Sequence, residues 1–169
     1  MLEAFAAWIG KTPLSAFVAG QDWVMPAIQT THILAIAVLV AGALLLQLRV
    51  LGVIEKRHPI GPLAARFVKP SAAAIAVLAL TGLLMIVGEP DRALFRYVFW
   101  VKMALVAAAI VVSALMLRGL SATPAWTDAG VAPPLLYRGL AGALLVVWVA
   151  IIIAGRWIGY AEGWPGSPT

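Results

Sequence analysis

Residues Gln29 to Leu48 read QTTHILAIAVLVAGALLLQL. Beyond its first four residues the stretch is almost wholly apolar, and no Asp, Glu, Lys or Arg interrupts the chain between Trp23 and Leu48. About 20 apolar residues in a helix cross the hydrocarbon core of a bilayer, so this stretch predicts a membrane span. Three more follow from the same reading, and the four spans are expected at Val24–Leu48, Pro70–Gly88, Val98–Leu117 and Gly139–Ile158. Their apolarity is continuous rather than alternating, which excludes a transmembrane β-barrel.

Composition points the same way. The 169 residues are 63% hydrophobic and 11% charged, against about 45–50% and roughly 25% in soluble domains. The predicted fold is all-α: a polytopic membrane protein, a four-helix transmembrane bundle preceded by short amphipathic interfacial helices. Residues 1–22 form the interfacial segment, 23–160 the transmembrane domain and 161–169 a short tail. Within the first segment, Leu2, Phe5 and Ile9 share one helical face. Thr12 then offers an N-cap ahead of Pro13 at the first helical position. The segment lacks a basic n-region and is broken by Lys11 and Pro13, so it does not read as a signal peptide. Asp22 is expected to cap the first span, with Pro26 in its first turn.

The net charge of +5 has no basic stripe on a soluble element to serve nucleic acid, and none is expected as a partner. The bilayer is the expected surround. The segment after the first span carries Arg49, Lys56, Arg57, Arg66 and Lys69 against Glu55, whereas Glu89 and Asp91 balance Arg92 and Arg96 after the second. The positive-inside rule therefore predicts the first of these loops in the cytoplasm and both termini outside, in a bacterial inner membrane. Cysteine is absent, which excludes thiolate metal sites, Fe–S clusters and cysteine nucleophiles. Nucleophile triads, Walker loops and HExxH motifs are also missing, and the sequence does not decide whether the protein is an enzyme.

The polar residues within the spans gather toward one end. At about 1.5 Å per residue, His32 lies about 12 Å in from the outer end of the first span, Thr81 about 10 Å in the second and Lys102 about 6 Å in the third. Arg156 is within a turn of the end of the fourth. The other half has almost nothing polar except Ser71 and Ser113. His32 shares a stripe with Met25, Gln29, Ala35 and Leu39, Thr81 with Ala74 and Met85, and Lys102 with Val106 and Ala109. These stripes predict that QTTH (29–32) lines an outward-facing pocket among the helices, with Thr81 and Lys102 at similar depth and Ala35, Ala74 and Ala109 facing the interior. Ionisable residues at membrane depth default to a functional site. Three plainer roles stand beside that one: His32 as an interhelical hydrogen-bonding residue, Lys102 and Arg156 snorkelling to the interface, and Met25, Met85 and Met103 as packing. His58 reads as a solvated loop residue, and Trp157, Tyr160 and Trp164 as an interfacial aromatic belt.

The segments THILAIAVLVAG (31–42), TGLLMIVG (81–88), FWVKMAL (99–105) and IIIAGRWIGY (151–160) resemble an uncharacterised family of small bacterial four-helix membrane proteins. More distantly, the His, Thr–Gly and Lys of the first three spans are similar to CopD-like copper-resistance proteins and to HemJ-type protoporphyrinogen oxidases. The resemblance implies His32 as an axial or metal ligand and Lys102 as an anion partner. No span holds a second histidine, so a bis-histidine haem within one chain is not available.

Three functions follow. In the first, His32 binds haem b, Lys102 with Arg96 or Arg156 pairs the propionates, and the remaining axial position is open or filled by Met85, Met103 or a histidine from another subunit. In the second, His32, Met25, Met85 and Met103 form a soft copper site. In the third, a cofactor-free membrane subunit anchors a periplasmic partner. A quinone beside His32 and Lys102 is a fourth possibility. A periplasmic redox or metal-carrier protein and a homo-oligomer are the partners these readings allow.

Overall fold

A computed structural model describes residues 1–158, except the Arg92 side chain. Tyr160, Trp164 and the 161–169 tail lie outside the described residues. Eight helices follow in order: α1 (Leu2–Gly10), α2 (Pro13–Gly20), α3 (Val24–Leu51), α4 (Ile60–Gly88), α5 (Pro90–Leu94), α6 (Tyr97–Leu120), α7 (Pro124–Thr127) and α8 (Leu135–Trp157). Helices α3, α4, α6 and α8 are each long and apolar enough to cross a membrane. The fold is an all-helical, multi-pass membrane bundle.

Every span is longer than the sequence suggests. Helix α4 begins ten residues before Pro70 and carries Arg66 and Lys69 within it. Its 29 residues reach about 43 Å at a rise of 1.5 Å, against about 30 Å of hydrocarbon. Twenty residues back from Gly88 the apolar layer ends, so the charges and Pro70 fall at the headgroup level. Water there can satisfy the Arg66 carbonyl that Pro70 leaves without its N–H partner. Helix α3 likewise runs through Arg49 to Leu51 and stops at Gly52, whose φ of 76° only glycine adopts without strain. The Val53 N–H bonds back to the Leu48 carbonyl at 2.9 Å, a Schellman-type closure.

At the other end of the spans, Thr12 caps α2 as its sequence predicts, its hydroxyl oxygen accepting from the Ser15 N–H at 3.2 Å. Asp22 does not cap α3. Trp23 holds the N-cap position without a side-chain hydrogen bond, because a turn closed by the Val24 N–H on the Gln21 carbonyl already leads the chain into the helix. Helices α1 and α2 pack on α5 and α4. They bury Ala6, Ile9 and Val18 and leave Phe5, Trp8 and Phe17 exposed, as helices at a lipid interface do. Val18 meets α4 at Gly88, where any Cβ would come within 2.7 Å of its Cγ1. The termini of α3 and α8 meet here, so we call this the termini end. The connections 52–59 and 121–134 mark the loop end.

The spans pack in the order α4–α3–α8–α6. Helices α4 and α6 are consecutive spans but scarcely touch, so the bundle is open along that side. The main core lies toward the loop end, built from Leu46, Val50, Ile60, Met116, Leu120, Leu144 and Trp148 among others. Trp126 of α7 closes it against Gly61. Ala35, Ala74 and Ala109 are all buried, so the helical phases read from the polar stripes hold at these three positions. Leucine at Ala109 should overpack the α6–α8 contact and lower unfolding stability by about 1–3 kcal/mol. Leucine at exposed Ala108 should be nearly neutral, and thermal unfolding in detergent compares the two.

Candidate functional site

The site is built on the stripe of α3 that faces its neighbours. His32, Ala35, Leu39, Gly42, Leu46 and Arg49 alternate at spacings of three and four, and all are buried or half-buried. His32 sits near the termini end of this stripe, pointing to α4. Its Nδ1 is 2.7 Å from the Thr81 hydroxyl oxygen, and its Cε1 lies 3.9 Å from where a Cβ of Gly82 would stand. The absence of a side chain at Gly82 gives the imidazole room against α4.

The hydrogen bonds fix the state of the ring. Thr81 Oγ1 lies 2.6 Å from the Val77 carbonyl oxygen, so the hydroxyl proton sits between those two oxygens, which would otherwise repel. A hydroxyl has one proton. Toward His32 the Thr81 oxygen can only accept, and the imidazole Nδ1–H donates to it. The neutral ring then carries its lone pair on Nε2, which has no protein partner among the described residues. A metal-ligating histidine is held in the same way, its second ring nitrogen donating to an acceptor.

Lys102 approaches from the far side of the bundle. It is half-buried on α6, and its chain crosses α8 at Gly155, with Nζ 3.5 Å from the point where a Cβ would be. At the same end Arg96 is 9% exposed and donates from Nη1 to the Ile158 carbonyl, tying the start of α6 to the end of α8. Its Nε is buried without a partner. The Trp100 indole N–H donates to the Leu94 carbonyl at 3.0 Å and fixes the corner between α5 and α6. Thr81 on α4 and Lys102 on α6 thus belong to the helices that flank the open side of the bundle, and His32 reaches Thr81 from α3, the next helix in the row.

Not all the expected residues join this group. Gln29 is exposed, a turn before His32, and Arg156 is exposed near the end of α8. Met103 is 44% exposed. Met25 is half-buried, with its methyl group against Gly88, and Met85 is half-buried on α4. Among the described residues no three His, Cys, Asp or Glu side chains gather as a metal cluster. His58 is an exposed loop residue paired with Glu55 at 2.7 Å.

The half of the bundle toward the loop end is more polar than the sequence reading allows. Gln47 and Arg49 are each 2% exposed, and Gln47 Oε1 and Trp148 Nε1 are buried without partners. Arg49 reads in the sequence as the first residue of a loop. The signal that places it inside is the His32 stripe, continued to the end of the helix.

A family model matches residues 3–161. The chain belongs to DUF6644, a family of unknown function. No curated protein and no solved structure matches it. Membership of DUF6644 thus accounts for the resemblance to small uncharacterised membrane proteins, while the distant similarity to CopD-like and HemJ-type proteins gains no support.

Thr81→Val removes the acceptor for the His32 N–H and should cost about 0.6–2 kcal/mol, the usual worth of such a bond between membrane helices. Thr81→Ser should retain most of it. A double-mutant cycle with His32→Ala, read by unfolding in detergent, should give a coupling of that size. Simple additivity would mean that the pair contributes nothing.

Proposed function

We propose that this protein is an integral-membrane haem-b-binding redox protein, in which His32 Nε2 would hold the iron and Lys102 would pair with a propionate. The observation that carries this reading is the contact of His32 Nδ1 with a Thr81 hydroxyl that itself bonds the Val77 carbonyl, a geometry that assigns the ring proton to Nδ1 and the lone pair to Nε2. Neutral imidazole is a common haem ligand. The open side between α4 and α6 suits a flat ligand entering from the bilayer, and Lys102 offers a charge-assisted contact to a carboxylate. When bound, haem supplies one-electron chemistry. The chain's own part is to orient the imidazole through Thr81, to shield it with apolar helices and to place a cation nearby.

The same proton placement weighs against a quinone, because an unprotonated Nε2 has no hydrogen to offer a carbonyl oxygen. It gives no preference to copper, but the methionines do not favour a compact soft site. Met25 is seven residues, about 10 Å along the helix, from His32. The charge asymmetry of the loops further supports a bacterial inner membrane with the His32 end toward the periplasm.

Absorption spectra and metal analysis of the protein purified in mild detergent test the reading. A Soret band is expected, lost in His32→Ala while the variant stays folded and membrane-inserted. It should be weakened in Lys102→Met and unchanged in His58→Ala. Colourless protein with bound copper would favour the copper alternative, and neither colour nor metal would leave His32 as a structural residue. Orientation is tested with His58→Cys in a chain that has no native cysteine. Reaction with an impermeant reagent on intact cells would reverse the assignment.

A further inference from the structure

A second site lies at the opposite end of the bundle. Arg49, in the last turn of α3, is 2% exposed. Its Nε donates to the His58 carbonyl at 2.9 Å, but its Nη2 is buried with no partner. A guanidinium withdrawn from water with a donor unmet is costly unless something completes it. Beside it the structure has a cavity of about 220 Å³, walled by the end of α3, the loop after it and the segment leading into α8. Three cations line this cavity, Arg49, Lys56 and Arg138, and no acidic side chain does. The rest of the wall is apolar side chain or glycine. Glu55 is close enough for its charge to be felt at Arg49, yet its carboxylate bonds His58 at 2.7 Å. Arg138 makes only a long, exposed contact of 3.5 Å to the Leu51 carbonyl, so its guanidinium can turn to a ligand.

We propose that this pocket binds a phosphate group, either that of an anionic phospholipid headgroup or free phosphate. Guanidinium groups pair tetrahedral oxyanions through several charge-assisted hydrogen bonds, and an oxygen-rich anion of more than one acceptor can use a buried donor and two mobile ones together. The depth fits either source. Helix α3 has 28 residues, about 42 Å at the helical rise, so its last turn stands at headgroup level. Basic pockets between membrane helices at that level recognise lipid phosphates. The site is independent of the His32 pocket and does not rest on haem.

The test uses the intact protein in mild detergent and follows thermal unfolding while phosphatidylglycerol, phosphatidylcholine or inorganic phosphate is added separately. The variant is Lys56→Gln with Arg138→Gln, at two exposed positions whose loss leaves the buried Arg49 and its bond in place. A saturable rise in melting temperature with phosphatidylglycerol, shifted to about tenfold higher lipid concentration in the variant, is the expected result for a lipid phosphate. The same pattern with inorganic phosphate alone identifies a free phosphate as the ligand. A melting temperature that none of the three additions moves, or one they move equally in wild type and variant, overturns the proposal.

Discussion

Thr81 has a single hydroxyl proton, and the Val77 carbonyl 2.6 Å away takes it. In water this would matter little, since solvent would supply whatever His32 lacked. In hydrocarbon no solvent does so, and the direction of one hydrogen bond decides the tautomer of the ring. The bond also joins α3 to α4 across 49 positions of sequence, near the end where α4 parts from α6. On the proposed reading, an imidazole held this way would meet a ligand at its free nitrogen without reorienting. The site's chemistry therefore follows from a local habit of threonine in helices, back-bonding to the carbonyl four residues earlier.

The same scarcity of partners explains the two arginines at the ends of the bundle. Arg96 satisfies the Ile158 carbonyl of α8, and Arg49 satisfies the His58 carbonyl in the loop beyond α3. Each gives a backbone oxygen outside the regular helical ladder a charged donor, and each retains a buried nitrogen without a partner. Small residues complete the design. Gly42 admits the ring of Phe67, Gly155 the chain of Lys102 and Gly88 the side chains of Val18 and Met25. In a bilayer such close approach supplies packing that the hydrophobic effect does not. What this packing leaves almost without contact is α4 against α6, and Thr81 and Lys102 stand on the two helices beside that gap.

Much of this was legible in the residues. Continuous apolarity gave the four spans. Spacings of three and four put Ala35, Ala74 and Ala109 inside, and depth placed His32 and Thr81 at one level without naming them as a hydrogen-bonded pair. Thr12 before Pro13 marked a helix start. Charge misled where helices outrun the bilayer: Arg66 and Lys69 read as loop, although a 29-residue helix carries them into the headgroups. Arg49 failed for the same reason, though its place on the His32 stripe pointed inward. The order of packing, and with it the open side, was not legible, because the phase of each helix says which face is buried but not which neighbour buries it. Asp22 missed its cap because a backbone turn from Gln21 to Val24 made a side-chain cap unnecessary.

The tautomer of His32 is the claim on which the proposed ligand role turns, and it can be observed in the protein without a cofactor. The chain has two histidines, so ¹⁵N-histidine labelling in detergent micelles gives two imidazoles, one of which His58→Ala removes. At a pH where the ring is neutral, the account predicts that His32 carries its proton on Nδ1 and an unprotonated Nε2, and that Thr81→Val abolishes this preference. A proton on Nε2 with Nδ1 bare would contradict it, since Thr81 would then be the donor and His32 would have no lone pair to give.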